Sequence, residues 1–136
     1  MFLVVDDSSA VREAVAERLA SAFPSCSVRT VGSGEKAVKM VEEECIAAVV
    51  MDITLPGISG IEASQRIRAA SPDVAIVMLS IHEEEEYIRD AMSAGASAYV
   101  VKREIGRKLV AALQDALSKT RNAPTGSVDA DGAGME

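Results

Sequence analysis

Polar and charged side chains stand where four short apolar runs end. Asp6 and Asp7 follow "FLVV", Asp52 follows "IAAVVM", Ser80 follows "VAIVML" and Lys102 follows "SAYVV". Brought together, three carboxylates would repel one another, at about 4 kcal/mol for each pair at ~4 Å and a surface-like effective dielectric. Lys102 offsets only part of that, whereas a hard divalent cation offsets much more. Mg²⁺ takes oxygen ligands, usually one or two carboxylates with waters and a phosphate. An acid cluster beside a hydroxyl and an ammonium therefore suits a phosphoryl group. The cation and the lysine balance its oxygens, and one carboxylate can act as nucleophile.

These residues meet only if the elements carrying them are arranged in one way. Apolar runs alternate with amphipathic stretches five times along the chain. The strands are expected at residues 2–5, 27–31, 46–51, 74–79 and 97–101. After the first run, Val11, Val15, Leu19 and Ala22 recur at helical spacing, with Ser8 or Ser9 as N-cap and Pro24 beyond the end. Further helices are expected over 35–44, 60–70, 83–93 and 104–119. Gly95 stands where a helix terminus favours a left-handed residue. Strands with few polar residues, separated by helices, imply a parallel sheet covered on both faces. Right-handed crossovers make it a doubly wound α/β sandwich. In such a sheet all carboxyl ends lie on one edge, where ligands bind. Asp6, Asp7, Asp52, Ser80 and Lys102 should thus share one shallow pocket.

The 136 residues are enough for one domain with a sizeable core. Hydrophobic residues at 49% and charged residues at 26% fit a soluble globular chain. A net charge of −7 argues against nucleic-acid binding through this chain, because phosphate contacts need a basic surface. No apolar run approaches the ~20 residues of a membrane span, and no basic stretch precedes an apolar one at the N-terminus; a cytoplasmic location is expected. Cys26 and Cys45 lack any C-x-x-C or Cys/His company and are expected to be reduced thiols. Residues 121–136, "NAPTGSVDADGAGME" with Arg121 before it, show no apolar period and read as a flexible tail or linker stub after a domain of residues 1–120.

Taken together, "VVDD", "MDITLPGISG", "MLS" and "GASAYVVK", in this order and at these strand ends, make the chain resemble the receiver domains of two-component response regulators. The resemblance implies a flavodoxin-like three-layer α/β/α sandwich with strand order 2-1-3-4-5. It makes Asp52 the phosphoacceptor for a sensor histidine kinase or histidine phosphotransfer protein. Mg²⁺ would be held by Asp7, Asp52 and the backbone carbonyl of Thr54, with Asp6 contributing directly or through water. Lys102 would pair with a phosphoryl oxygen, Ser80 would turn its hydroxyl onto the phosphoryl group, and Tyr99 would move inward behind it. The face of helix four, strand five and helix five would change, and that face is the expected surface for a homodimer. Thr54 and His82, two residues beyond Asp52 and Ser80, would flank the path of the hydrolytic water and set the phosphoryl lifetime. The expected behaviour is that of a switch, without turnover of a substrate.

One position departs from the common pattern of that family: Arg103 follows Lys102 where many receivers have proline. The stretch from Met78 to Lys102 looks most like receivers joined to helix-turn-helix DNA-binding domains, which points to a transcriptional output. A receiver standing alone, acting as a protein-binding switch or phosphate relay, is the alternative. A haloacid-dehalogenase-like phosphohydrolase also carries a strand-end Asp nucleophile, but it needs an acid two residues on, and Thr54 stands there. The acidic run Glu83 to Glu86 is expected to form the first turn of helix four, where it complements the helix dipole.

Overall fold

The computed structural model describes residues 1–119. Five parallel strands, β1 (Phe2–Val5), β2 (Val28–Val31), β3 (Ala48–Asp52), β4 (Ala75–Ser80) and β5 (Ala98–Val101), form one sheet in the order β2-β1-β3-β4-β5. The helices are α1 (Ser9–Ala22), α2 (Gly34–Glu43), α3 (Gly60–Ala70), α4 (Glu85–Ser93) and α5 (Ile105–Ser118). The expected doubly wound α/β sandwich and its strand order are therefore present. The expected tail at 121–136, together with Thr120, lies outside the described residues.

Alternation along the strands divides the core in two. Leu3, Val5, Val49, Met51, Ile76 and Met78 face the layer of α2, α3 and α4, meeting Ala37, Val41, Ala63, Ile67 and Ala91. Phe2, Val4, Ala48, Val50, Val77, Leu79 and Val100 face α1 and α5, meeting Val15, Leu19, Leu109, Leu113 and Leu117. Both faces of β1, β3 and β4 are buried, which is why those strands read as unbroken apolar runs. Phe2 and Phe23 pack edge to face at 5.1 Å, closing the end of the sheet away from the acids.

Three helices start on serine caps. Ser8, Ser33 and Ser59 accept from the N–H groups of Val11, Lys36 and Glu62, so α1, α2 and α3 begin sharply at their loops. Ser8, not Ser9, is the α1 cap. Gly95 has φ +104°, and a Cβ there would press on the Arg68 side chain at 3.1 Å. Most elements shift by one residue from their expected bounds, and three departures bear on the site. Strand β3 pairs from Ala48, not Ile46, and runs on through Asp52, which sits opposite Leu79. Helix α4 begins at Glu85, because Glu84 is extended and Glu83 is engaged elsewhere. Residues Lys102–Glu104 make a 3₁₀ turn before α5, so the lysine stands on a turn rather than at a bare strand end.

Candidate functional site

Asp6 is the first residue beyond β1, and its N–H still pairs with the Val31 carbonyl at 3.3 Å. Its side chain is fully buried. Oδ1 accepts from the Ser8 N–H at 2.9 Å. Oδ2 faces the Lys102 ammonium at 2.9 Å, an ion pair without hydrogen-bond geometry, and is otherwise unpartnered. Asp7 is exposed. Asp52 is buried at the end of β3; its Oδ1 accepts from the Thr54 N–H at 3.3 Å, and its Oδ2 lies 3.4 Å from Lys102 Nζ. One carboxylate oxygen from each of Asp6, Asp7 and Asp52 lies within 4.8 Å of the others.

The electrostatics follow from this crowding. Burial, and then the charge of Asp6, push the Asp52 carboxyl up to about 6 against the pull of Lys102 and the Thr54 N–H. Burial alone would lower the Lys102 ammonium, but attraction to Asp6 and Asp52 outweighs it and leaves it raised. Two buried acids thus share the Lys102 ammonium, with the third, Asp7, beside them. A fully buried carboxylate oxygen with no hydrogen bond, flanked by two further carboxylates, is a donor set that fits a hard divalent ion such as Mg²⁺.

The loop after Asp52 is shaped by its glycines. A Cβ at Gly60 would stand 2.0 Å from the Asp52 carbonyl oxygen, so only glycine lets α3 start this close to β3. Gly57 has φ +75°, and the Glu35 carboxylate lies against it while accepting from the Ile58 N–H at 3.1 Å. That carboxyl is held below its usual range by the hydrogen bonds of its own N–H and of Ile58.

Ser80 ends β4, buried, and its Oγ accepts from the His82 N–H at 2.9 Å. Tyr99, half-buried on β5, donates its hydroxyl to the His82 carbonyl at 2.8 Å, and burial raises its phenol. The His82 ring stacks on Tyr87 at 4.0 Å and 3°, with Nδ1 3.7 Å from Glu84 Oε2. Both of these ring partners, Tyr87 and Glu84, lie on or at the start of α4. Thr54 is exposed and meets Asp52 through its N–H. The structure thus brings together Asp6, Asp7, Asp52 and Lys102, with Ser80, Tyr99 and His82 as a second, linked group.

Some contacts had no signal in the sequence. Arg103 forms a two-bonded ion pair with Glu83, tying the turn after β5 to the β4–α4 loop; the missing proline marked the position but not the partner. Arg12 donates to the Asp6 carbonyl, a main-chain contact that no side-chain pattern announces. Cys26 and Cys45 are free thiols, as expected.

Fold and site together define an open α/β protein with a carboxylate and lysine cluster at the carboxyl edge of its sheet. The family model of the response regulator receiver domain matches residues 2–114. The chain belongs to that family. It is 39% identical over 100 residues to the transcriptional activator protein ExaE of Pseudomonas putida, covering 74% of this chain and 47% of that protein. It is 34% identical over 119 residues to the response regulator UvrY of Escherichia coli K12, covering 88% and 55%. A LuxR-family two-component response regulator from Aurantimonas superposes with a TM-score of 0.80 at 34% identity, covering 88% of this chain and 86% of that one. The chain spans about half the length of the curated relatives it matches. Receiver domains are phosphorylation-dependent signalling switches, phosphorylated by histidine kinases, and bind Mg²⁺ at an acidic pocket. Among the described residues, no helix is long and apolar enough to cross a membrane.

Proposed function

We propose that Asp52 is the phosphoacceptor of this receiver and that its phosphorylation changes the surface formed by α4, β5 and α5. The observation that supports it most is the placement of Asp52: buried at the end of β3, 3.4 Å from Lys102, with oxygens of Asp6 and Asp7 within 4.8 Å. An Asp52 oxygen attacks the phosphorus of a phosphohistidine; the new P–O bond forms as the P–N bond breaks. The imidazole nitrogen leaves with the bonding pair and takes up a proton. Asp6, Asp7, Asp52 and the Thr54 carbonyl would hold Mg²⁺, which when bound neutralises charge on the phosphoryl oxygens. Lys102 gives up part of its pairing with Asp6 and Asp52 to meet a phosphoryl oxygen, a charge-assisted bond.

Ser80 stands on β4 one residue beyond Leu79, the partner of Asp52 in the sheet. Its Oγ accepts from the His82 N–H and lies in hydrogen-bond contact with the Tyr99 hydroxyl, and its proton turns from that contact to donate to a phosphoryl oxygen. Movement of Ser80 acts on His82, to which Tyr99 is bonded, and so reaches β5 and α4. Thr54 and His82 tune the lifetime of the phosphoaspartate, the first beside Asp52 and the second through this loop. The protein works in the cytoplasm, with a histidine kinase or phosphotransfer protein as donor and transcription as output; phosphorylation promotes pairing of two copies through α4, β5 and α5.

Intact-mass spectrometry after incubation with a small acyl phosphate and Mg²⁺ tests the central step. One phosphoryl group is expected on the wild type and none on Asp52→Asn. An unmodified wild type, or a modified Asp52→Asn, overturns the assignment.

A further inference from the structure

We propose that Arg12 is a positioning residue for the acid cluster: its guanidinium holds the Asp6–Asp7 peptide and thereby aims the Asp7 carboxylate. The inference rests on the reading of Asp6, Asp7 and Asp52 as a divalent-cation pocket. Asp7 is the exposed member of the three, and among the described residues its carboxylate has no hydrogen bond or ion pair of its own. Its direction is therefore set by the main chain on which it stands. That main chain is held at Asp6 from two sides. The Ser8 N–H donates to Asp6 Oδ1 at 2.9 Å, and Arg12 Nη1 donates to the Asp6 carbonyl oxygen at 2.7 Å. The Asp6 carbonyl belongs to the peptide that joins the two acids, so its rotation would swing Asp7.

A second observation shows that room is kept for the guanidinium. A Cβ at Gly32, in the β2–α2 loop, would stand 3.2 Å from Arg12 Nη1 and 3.9 Å from its Cζ, with no other heavy atom as close. Arg12 thus lies between the bare face of Gly32 and the Asp6 carbonyl. It comes about one turn into α1, beyond the cap of Ser8, so α1 itself fixes the point from which the side chain reaches. A planar fork loses less freedom per bond than a lysine would, which suits an arginine here. Its charge also opposes that of the three acids without occupying any of their oxygens, which leaves those oxygens to the ion.

The test is the Mg²⁺ dissociation constant of the whole chain by calorimetry, with the melting temperature of the metal-free protein alongside. Arg12→Ala should weaken Mg²⁺ binding about tenfold, in the range of outer partners of metal ligands. Arg12→Lys, which keeps one donor, should recover most of the loss, and Gly32→Ala, which displaces the guanidinium, should weaken binding severalfold. The weakening should persist at about 0.5 M salt, where a bare charge effect is screened. Unchanged affinity in Arg12→Ala overturns the inference. So does a loss that Arg12→Lys does not recover and that tracks a lower metal-free melting temperature, which would mark a strut only. If Arg12→Ala does not fold, Gly32→Ala and Arg12→Lys decide by the same criteria. A wild type that binds no Mg²⁺ overturns the metal reading itself, and this inference with it.

Discussion

Tyr99 and His82 are joined hydroxyl to carbonyl at 2.8 Å, while the N–H of the same His82 donates to Ser80 Oγ at 2.9 Å. Both groups expected to move on phosphorylation therefore hang on the main chain of one residue. The β4–α4 loop is a joint rather than a loose connection, and displacement at Ser80 has a direct path to Tyr99.

Removing one side of that joint should be measurable. Tyr99→Phe keeps the ring and loses the bond to His82, for an expected cost of about 1 kcal/mol in denaturant unfolding. The amides of residues 81–84 should exchange faster with deuterium, and those of β1 should not change. Unaltered exchange in the loop would show that Tyr99 does not hold it.

Arg68 offers a contrast away from the acids. Its guanidinium donates to the carbonyls of Gly95, Pro72 and Val74, joining the end of α3 to the start of β4 and to the α4–β5 turn. Burial lowers its ionisation range, and nearby Asp73 opposes that. Arg68→Met leaves those carbonyls without their donor and should destabilise the fold by roughly 2–4 kcal/mol. Mg²⁺ affinity, read by calorimetry below the melting temperature, should stay within twofold of wild type. A large change in affinity would mean that the two ends of the sheet are coupled.

How much of this was legible in the sequence depends on what kind of contact carries it. Asp52 and Lys102 could be placed because parallel strands put every carboxyl end on one edge, whatever the side-chain details. The sheet itself showed in the apolar runs, since β1, β3 and β4 are buried on both faces. The start of α4 did not show. Four glutamates in a row fit a first helical turn at several registers, and the structure chooses one because Glu83 pairs with Arg103, twenty residues on. Arg12 and Glu35 escaped for a related reason: each bonds to a main-chain group, the Asp6 carbonyl or the Ile58 N–H, which every sequence has. The stacking of the His82 ring on Tyr87 likewise had no signal, because nothing in the sequence pairs those two positions.

Lys102 should prove the main support of the metal-free pocket. Its Nζ stands 2.9 Å from Asp6 and 3.4 Å from Asp52, both buried. Lys102→Met removes the cation paired with both side chains, a change that in buried pairs costs on the order of 3 kcal/mol. Thermal melts in chelator at pH 7 should show the loss, and lowering the pH toward 5 should recover part of it as Asp52 takes up a proton. A variant as stable as wild type at pH 7 would remove the claim.

The raised Asp52 carboxyl makes a prediction with a definite sign. Its native value is about 6 against 3.8 for an unperturbed group, so between those values the folded chain holds a proton that the unfolded chain has released. Stability from this residue is therefore fully present below pH ~4 and is lost as the pH rises through about 6. Asp52→Asn carries no charge and escapes that loss. Its unfolding free energy minus that of wild type should climb between pH 4 and 6.5 and level off above, reaching about 1–2 kcal/mol once partial solvation of the carboxylate is allowed for. The measurement is denaturant unfolding of both proteins in chelator across that range, where acid effects on carboxylates remote from Asp52 cancel in the difference. Millimolar Mg²⁺ should then narrow the gap at pH 7, because binding to the wild-type carboxylates stabilises that fold alone by mass action. A difference that is flat with pH would show that Asp52 ionises as an ordinary surface acid, and the crowding of the three carboxylates would have no energetic consequence.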